Sequence, residues 1–325
     1  MPGPNFNPQG GAQTVVGIGI ENQATPGTAV PPTIFVAVDP DSLEGAFDPK
    51  RSTENLAVGS IFNKQRVTDK DGEVTGKIKV PLSDVAVMSL LCQCGFMDTL
   101  TGAATPYTHT MAITRPKFLT IYIQRAGQCE TYAGMLCKMG KLTFNSKQVA
   151  YLECDFDGLK RPADHAALTP VYVQDYTYGA SDLQPSQLHT DAAQTSVDVE
   201  DVEVTWTFTL DRFHGAGGGG LPTYLTPVEA DVTAKATRIF RNADAYNAFR
   251  AAAPAPAPIK FGVGNTAARS VLVSIPAAWV PKHAWKTPSA GTVVEDFEFS
   301  TDHAAAIVPL TLTVVNSDNT AYAAA

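Results

Sequence analysis

Apolar and polar residues alternate with a period of two along much of this chain. Over 202–210, Val202, Val204, Trp206, Phe208 and Leu210 fall on one side and Glu203, Thr205, Thr207 and Thr209 on the other. Over 149–157, Ala150, Leu152, Cys154 and Phe156 oppose Tyr151, Glu153, Asp155 and Asp157. The run LTIYIQ at 119–124 alternates as well, and 33–38 and 74–80 are β-branched stretches bounded by Pro, Asp or Gly. This is the pattern of antiparallel sheet with one face packed and one face wet.

Only two stretches carry a helical period. Residues 82–96 open with Ser83-Asp84 as capping residues, place Val85, Met88, Leu91 and Cys92 on one stripe, and end at Gly95. Residues 242–253 open with Asn242, carry Ala245, Tyr246 and Phe249, and stop at Pro254. Their surroundings match. Val74-Thr75-Gly76-Lys77 precedes the first helix and Val232-Thr233-Ala234-Lys235 the second. After each comes a short alternating strand (119–124, then 259–264) and later an acidic one, Leu152-Glu153-Cys154-Asp155-Phe156-Asp157 and Glu295-Asp296-Phe297-Glu298-Phe299. The order predicts an internal duplication of one mainly β, α+β module. The expected organisation is an arm over 1–14, a first module over 15–162, a linker over 163–194 and a second module over 195–325. The stiff AAAPAPAP run at 251–258 falls inside the second module as a loop.

Composition narrows the class. The 325 residues are 44% hydrophobic and 17% charged, below the usual ~25% charged, as expected of a surface partly covered by partners. A formal charge of −8 provides no basic footprint for gripping nucleic acid. No apolar run reaches the ~20 residues of a membrane helix, so a soluble chain without membrane anchoring is expected. Residues 1–11 lack the pattern of a secretory signal and read as a flexible arm. Five cysteines, an odd number without Cys-x-x-Cys spacing, predict reduced thiols.

Catalytic constellations are not visible. The six histidines are scattered without zinc-site spacing and read as surface or capping groups. Cys92 and Cys94 lie two apart on the predicted first helix, share no face, and read as buried structural thiols. There is no Gly-x-Ser-x-Gly elbow and no phosphate loop; the glycine run 217–220 reads as a hairpin tip. Glu153, Asp155 and Asp157 are spread along one strand face at about 7 Å intervals, a stripe and not a focused site. The expectation is a protein that is not an enzyme, with no catalytic residue, cofactor or metal.

The segment Val16-Gly17-Ile18-Gly19-Ile20-Glu21-Asn22-Gln23-Ala24-Thr25-Pro26-Gly27-Thr28-Ala29 resembles the opening of siphophage tail-tube proteins, where a G-I-x-x-E-x-x-x-x-G-T stretch precedes the first sheet strand. The order of later segments is similar too: 76–80 before a helix, Pro106-Tyr107-Thr108-His109-Thr110, Leu119-Thr120-Ile121, Tyr132-Ala133-Gly134, Leu142-Thr143-Phe144 and the acidic strand. The likeness spans 15 to about 160 and extends more loosely through the second half, which lacks a Pro-Tyr-Thr-His-Thr equivalent.

That resemblance implies two tandem β-sandwich or partial-barrel modules, each flanked by one helix. Their strands would join those of neighbouring copies into one continuous barrel, and the rings would stack into a tube that conducts double-stranded DNA. Family rings close with six modules, so two modules per chain imply a trimer with pseudo-six-fold symmetry. It further implies a virion protein made in the host cytoplasm, with tape-measure, tail-tip and tail-terminator partners. The long polar segment 47–72 is the expected inter-ring loop, with Lys50, Arg51, Glu54, Lys64, Arg66, Asp69, Lys70 and Asp71 as contact candidates. A basic wall would trap DNA, whereas an acidic one repels it. Glu153, Asp155, Asp157, Glu203, Asp296 and Glu298 are therefore the lumen candidates. The alternative is a carbohydrate- or receptor-binding β-sandwich module, which predicts clustered exposed aromatics, whereas Trp206 reads as inward-facing.

Overall fold

The computed structural model describes residues 14–48, 51–56, 64–69, 72–125, 127–172, 176–179, 199–215, 220–239, 257–266, 268–286, 293–301, 308–319 and 322. In chain order the first strands are β1 (Val15–Ile20), β2 (Ile34–Val36), β3 (Glu44–Asp48), β4 (Arg51–Leu56), β5 (Lys64–Asp69) and β6 (Glu73–Pro81). Helix α1 (Ala86–Gln93) follows, then β7 (Phe96–Thr101), β8 (Tyr107–Ile113), β9 (Phe118–Arg125), β10 (Gln128–Asn145), β11 (Tyr151–Gly158) and β12 (Ala163–His165). The remainder comprises β13 (Val199–Phe213), β14 (Tyr224–Ile239), β15 (Ala257–Thr266), β16 (Arg269–Lys286), β17 (Val294–Thr301) and β18 (Thr311–Asn316). The alternating segments of the sequence are thus strands, and the protein is mainly β.

Every ladder is antiparallel. Eight strands run side by side in the order β3-β6-β11-β10-β13-β14-β17-β16, a broad sheet that does not close on itself. Two strands, β10 and β16, are each 18 residues long and serve two sheets. The first half of β10 lies between β9 and β12, and its second half between β11 and β13. The first half of β16 lies between β15 and β18, and its second half borders β17. A register break marks each change of neighbours, between Cys137 and Met139 in β10 and between Trp279 and Lys282 in β16. Bulges of this kind bend a strand and let it leave one sheet for another. The outer strands continue as β2-β1-β9 on one side and β18-β8-β7 on the other.

The apolar halves of these strands fuse into one core. Trp206 on β13 is fully buried, as its alternation requires. It meets Phe96 edge-on at 5.1 Å and donates its indole N–H to the Cys94 carbonyl at 3.2 Å. Its ring lies against Gly140 of β10, where any Cβ would overlap it. Phe144 of β10 packs on Phe261 of β15 at 5.7 Å, so the two halves of the chain share this core.

Several expectations are corrected. The first helix is Ala86–Gln93, not 82–96. Ser83 instead bridges to Thr177, the Asp84 carboxylate accepts the Tyr176 N–H, and Phe96 begins β7. Val85 takes the cap position with no side chain to offer, and Ser83 Oγ accepts the Val87 N–H at 3.4 Å. The second expected helix, 242–253, lies outside the described residues, as do residues 1–13 of the expected arm. The segment 47–72 is not a plain loop, because β4 and β5 form a hairpin sheet of their own within it. Part of the expected linker is docked: β12 pairs with β10, and Tyr178 is fully buried, its backbone bonded to Leu82 and Ala150. His109, expected as a surface or capping group, is fully buried with Nδ1 2.9 Å from Asp98 Oδ2 and Nε2 3.0 Å from the Asp318 carbonyl. It holds the C-terminal segment against β8.

The motif around Glu21 has a physical basis here. Its buried carboxylate accepts the Gly27 N–H at 2.6 Å, the Gly134 N–H at 2.8 Å and the Thr120 hydroxyl at 2.7 Å. One side chain therefore ties the loop after β1 to β9 and β10. Gly27 and Gly134 both have positive φ, and a Cβ on Gly134 would collide with Leu159. A Glu21→Ala chain leaves three donors without their acceptor. The expected cost is about 3 kcal/mol, read as a lower denaturation midpoint with an unchanged m-value; an equal midpoint would mean that the carboxylate organises nothing.

Candidate functional site

The eight-stranded sheet packs one face on the core and leaves the other open. Alternation puts Leu152, Cys154 and Phe156 of β11 inside and Glu153, Asp155 and Asp157 on the open side. By cross-strand register Glu203 of β13 and Asp296 and Glu298 of β17 occupy the same side. All six carboxylates singled out from the sequence thus share one surface.

That surface is not a plain acidic wall. Lysines stand opposite the carboxylates: Lys77 faces both Glu44 and Asp155, Glu153 lies between Lys79 and Lys141, and Glu203, Lys235, Glu298 and Lys282 follow one another across four strands. Glu153 is bonded to Lys77 at 2.5 Å and lies 3.5 Å from Lys141, which also reaches Glu203 at 3.7 Å. Lys286 meets Asp296 at 2.5 Å and Lys282 meets Glu298 at 3.7 Å. Asp157, almost fully covered, is held by Lys138 at 3.2 Å and by Arg212. The lysines were legible in the same period-two pattern that revealed the acids, for instance Lys77 and Lys79 on β6, but the sequence reading weighed the acids alone.

Titration follows this arrangement. Burial pulls Glu153 upward, yet the Lys77 and Lys141 ammonium groups outweigh it and hold its carboxyl below the usual range. Burial raises Asp155, and Glu153 beside it pushes the same way. Burial likewise raises Asp201, with Glu203 and Glu200 adding repulsion. The Lys77 ammonium is strengthened by its bond to Glu153.

Two edges of the sheet pair with no further strand among the described residues: β3 on one side and the second half of β16 on the other. On the open face β3 presents Glu44, Ala46 and Asp48, and β16 presents Lys282, Ala284 and Lys286, all exposed. Trp285, 48% exposed, points to the opposite side of that β16 edge. None of these residues is marked as an edge by its local sequence, because edge status belongs to tertiary pairing and not to local pattern.

Of the inter-ring candidates, Arg51 and Glu54 lie on β4 and Lys64, Arg66 and Asp69 on β5, while Lys50, Lys70 and Asp71 lie outside the described residues. A second constellation is internal. The Sγ atoms of Cys94, Cys137 and Cys154 all lie within 4.8 Å of one another, and all three residues are fully buried. Burial pushes Cys94 and Cys154 well up; in Cys137 the hydrogen bonds of the other two thiols overcome burial and bring it down to about 6.

No helix among the described residues is long and apolar enough to cross a membrane. None of the curated proteins compared matches this chain. The family model described as phage tail tube protein matches residues 11–302, from before β1 to just past β17. A mainly β chain whose eight-stranded sheet bears a charged face and two open edges, matched over nine-tenths of its length, belongs to the phage tail tube protein family, a family of structural proteins of the virion tail.

Proposed function

We propose that this chain forms the rings of the tube by joining the two open edges of its eight-stranded sheet head to tail. The opposite charge of those edges carries the reading. The eight strands alternate in direction, so β16 of one copy and β3 of the next meet antiparallel. Five residues of each edge, 282–286 and 44–48, carry the alternating exposed side chains of the open face. In the matching register Glu44 stands opposite Lys286, Ala46 opposite Ala284 and Asp48 opposite Lys282. Trp285 then falls opposite Gly45, whose position is backed by Ile123 and Tyr132. Ring closure gives both edges a strand partner, where an open edge otherwise invites unspecific pairing. Because the contact is between different surfaces, it builds rings and not closed dimers.

The duplicated module fits this scheme. Strands β6, β11 and the second half of β10 pair as β14, β17 and the second half of β16 do. Lys77 opposite Asp155 in the first set corresponds to Lys235 opposite Glu298 in the second. Four strands from each half give eight per chain, and three chains give a pseudo-six-fold ring. At a strand spacing of about 4.8 Å and a tilt of about 40°, such a barrel is about 50 Å across at the backbone. The open face lines the channel. Its lysines are matched by neighbouring carboxylates, so a passing duplex finds few cations able to release its counterions. The product is a stacked tube through which DNA leaves the virion, with no catalytic step.

Reversing the charge of one edge, in Lys282→Glu/Lys286→Glu or in Glu44→Lys/Asp48→Lys, should reduce rings and tubes at least tenfold by mass photometry and negative-stain microscopy. Combining all four substitutions should restore them, with a ring mass of three chains. Failure of the combination to assemble while both doubles assemble would place the ring contact elsewhere.

The channel reading is tested separately on assembled particles. Glu153→Lys/Asp155→Lys removes carboxylates that match Lys77, Lys79 and Lys141 and adds positive charge. DNA ejection should slow several-fold and recover as salt is raised. Wild-type ejection rates at every salt concentration would exclude this face from the DNA path.

A further inference from the structure

The tube reading makes no use of the three buried thiols, yet they are the most tightly gathered donor set among the described residues. They come from three separate elements. Cys94 closes α1, with its N–H bonded to Leu90 and Leu91 and its carbonyl held by Trp206. Cys137 sits at the register break of β10, its Sγ bonded to the Met139 carbonyl at 3.3 Å. Cys154 lies in the middle of β11, opposite Gly140, whose lack of a side chain admits the Trp206 ring. The bend in β10 is therefore the same feature that lets this strand change sheets and that positions Cys137 among the other two.

The geometry suits coordination. A metal–thiolate bond of about 2.3 Å sets the sulfurs of a trigonal site about 4.0 Å apart. The sulfurs here lie within 4.8 Å, so closing on an ion requires each pair to contract by less than about 1 Å. All three are held by ladder or helix-cap bonds, which limits other arrangements. Structural zinc takes four ligands, and no fourth donor joins the three among the described residues. Soft sulfur donors in a water-free pocket instead suit a monovalent d10 ion.

We propose that Cys94, Cys137 and Cys154 form a three-coordinate, all-sulfur site for copper(I). The atoms balance without any redox step: three thiols take up one Cu⁺ and release three H⁺, each sulfur binding as thiolate. The pocket is closed to solvent, so the ion enters while the chain folds, and its binding energy adds to stability. Cys92 and Cys129, buried elsewhere, are outside the set.

The test is synthesis of the full chain under anaerobic, reducing conditions with copper(I), or with copper(I) and zinc together, followed by washing with a copper(I) chelator. Wild type, Cys92→Ser and Cys129→Ser should each retain one copper per chain, and Cys94→Ser, Cys137→Ser or Cys154→Ser less than a tenth of one. X-ray absorption of the wild type should show three sulfur neighbours at about 2.3 Å, a readout that does not depend on whether the serine variants fold. Folded wild type with all five thiols titratable and no copper overturns the proposal, and so does zinc retained in place of copper. Copper kept by the folded triad variants would mark adventitious binding only. None of these readouts requires ring assembly, so the result is independent of the tube reading.

Discussion

Among the described residues, the eight-stranded antiparallel sheet does not close and ends on each side in a strand that pairs with no further strand. Such edges are a hazard in a soluble protein because any exposed strand can pair with them. Here the outermost exposed side chains carry one sign on each edge, Glu44 and Asp48 on β3 and Lys282 and Lys286 on β16, each of those lysines also paired with a β17 carboxylate. The same marking that discourages pairing between like edges favours pairing between unlike ones. Surface ion pairs contribute little by themselves, on the order of 0–1 kcal/mol each. In the proposed ring contact their value lies in register and partner choice, while the backbone ladder supplies the affinity.

Holding eight strands at a fixed curvature requires a rigid backing, and the two long strands provide it. Each of β10 and β16 is one covalent beam shared between the broad sheet and an outer one, bent at its register break. The outer sheets are interlocked with the chain order: β8, from the first half, pairs with β18 near the C-terminus, and His109 clamps the segment that follows through Asp98 and the Asp318 carbonyl. Glu21 does the same at the other end by joining the loop after β1 to β9 and β10. Buried polar groups of this kind fix geometry because leaving any of them unpaired is costly. They tie distant parts of the chain where apolar contacts alone would allow sliding.

Much of this was legible in the sequence because the period-two signal is local. The alternation of 202–210 puts Trp206 inward, as the structure does, and Glu203 on the opposite side. What alternation could not provide is the neighbour across the ladder. Glu153 looks like one member of an acidic stripe until Lys79 and Lys141 are seen on either side of it. His109 reads as a polar residue in a strand until β18 and Asp98 close over it. Cys94, Cys137 and Cys154 are separated by 43 and 17 positions and meet only because α1, β10 and β11 converge. The helix over 82–96 was overextended for a related reason: Ser83 and Asp84 are good capping residues, but tertiary partners at Thr177 and Tyr176 claimed them first.

The checkerboard on the open face reconciles two demands that an acidic wall would set against each other. A sheet face crowded with carboxylates alone would repel itself across every 5 Å or so of ladder. Interleaving lysines removes that repulsion, and cross-strand pairs of opposite charge add to sheet stability. A lysine already bonded to a carboxylate is a poor phosphate ligand, because binding DNA would require giving up the partner it has. The arrangement stabilises the sheet and, in the proposed channel, lowers its grip on a polyanion with the same ion pairs. Asp155 and Asp201, which burial pushes toward protonation, mark the places where this matching is least complete.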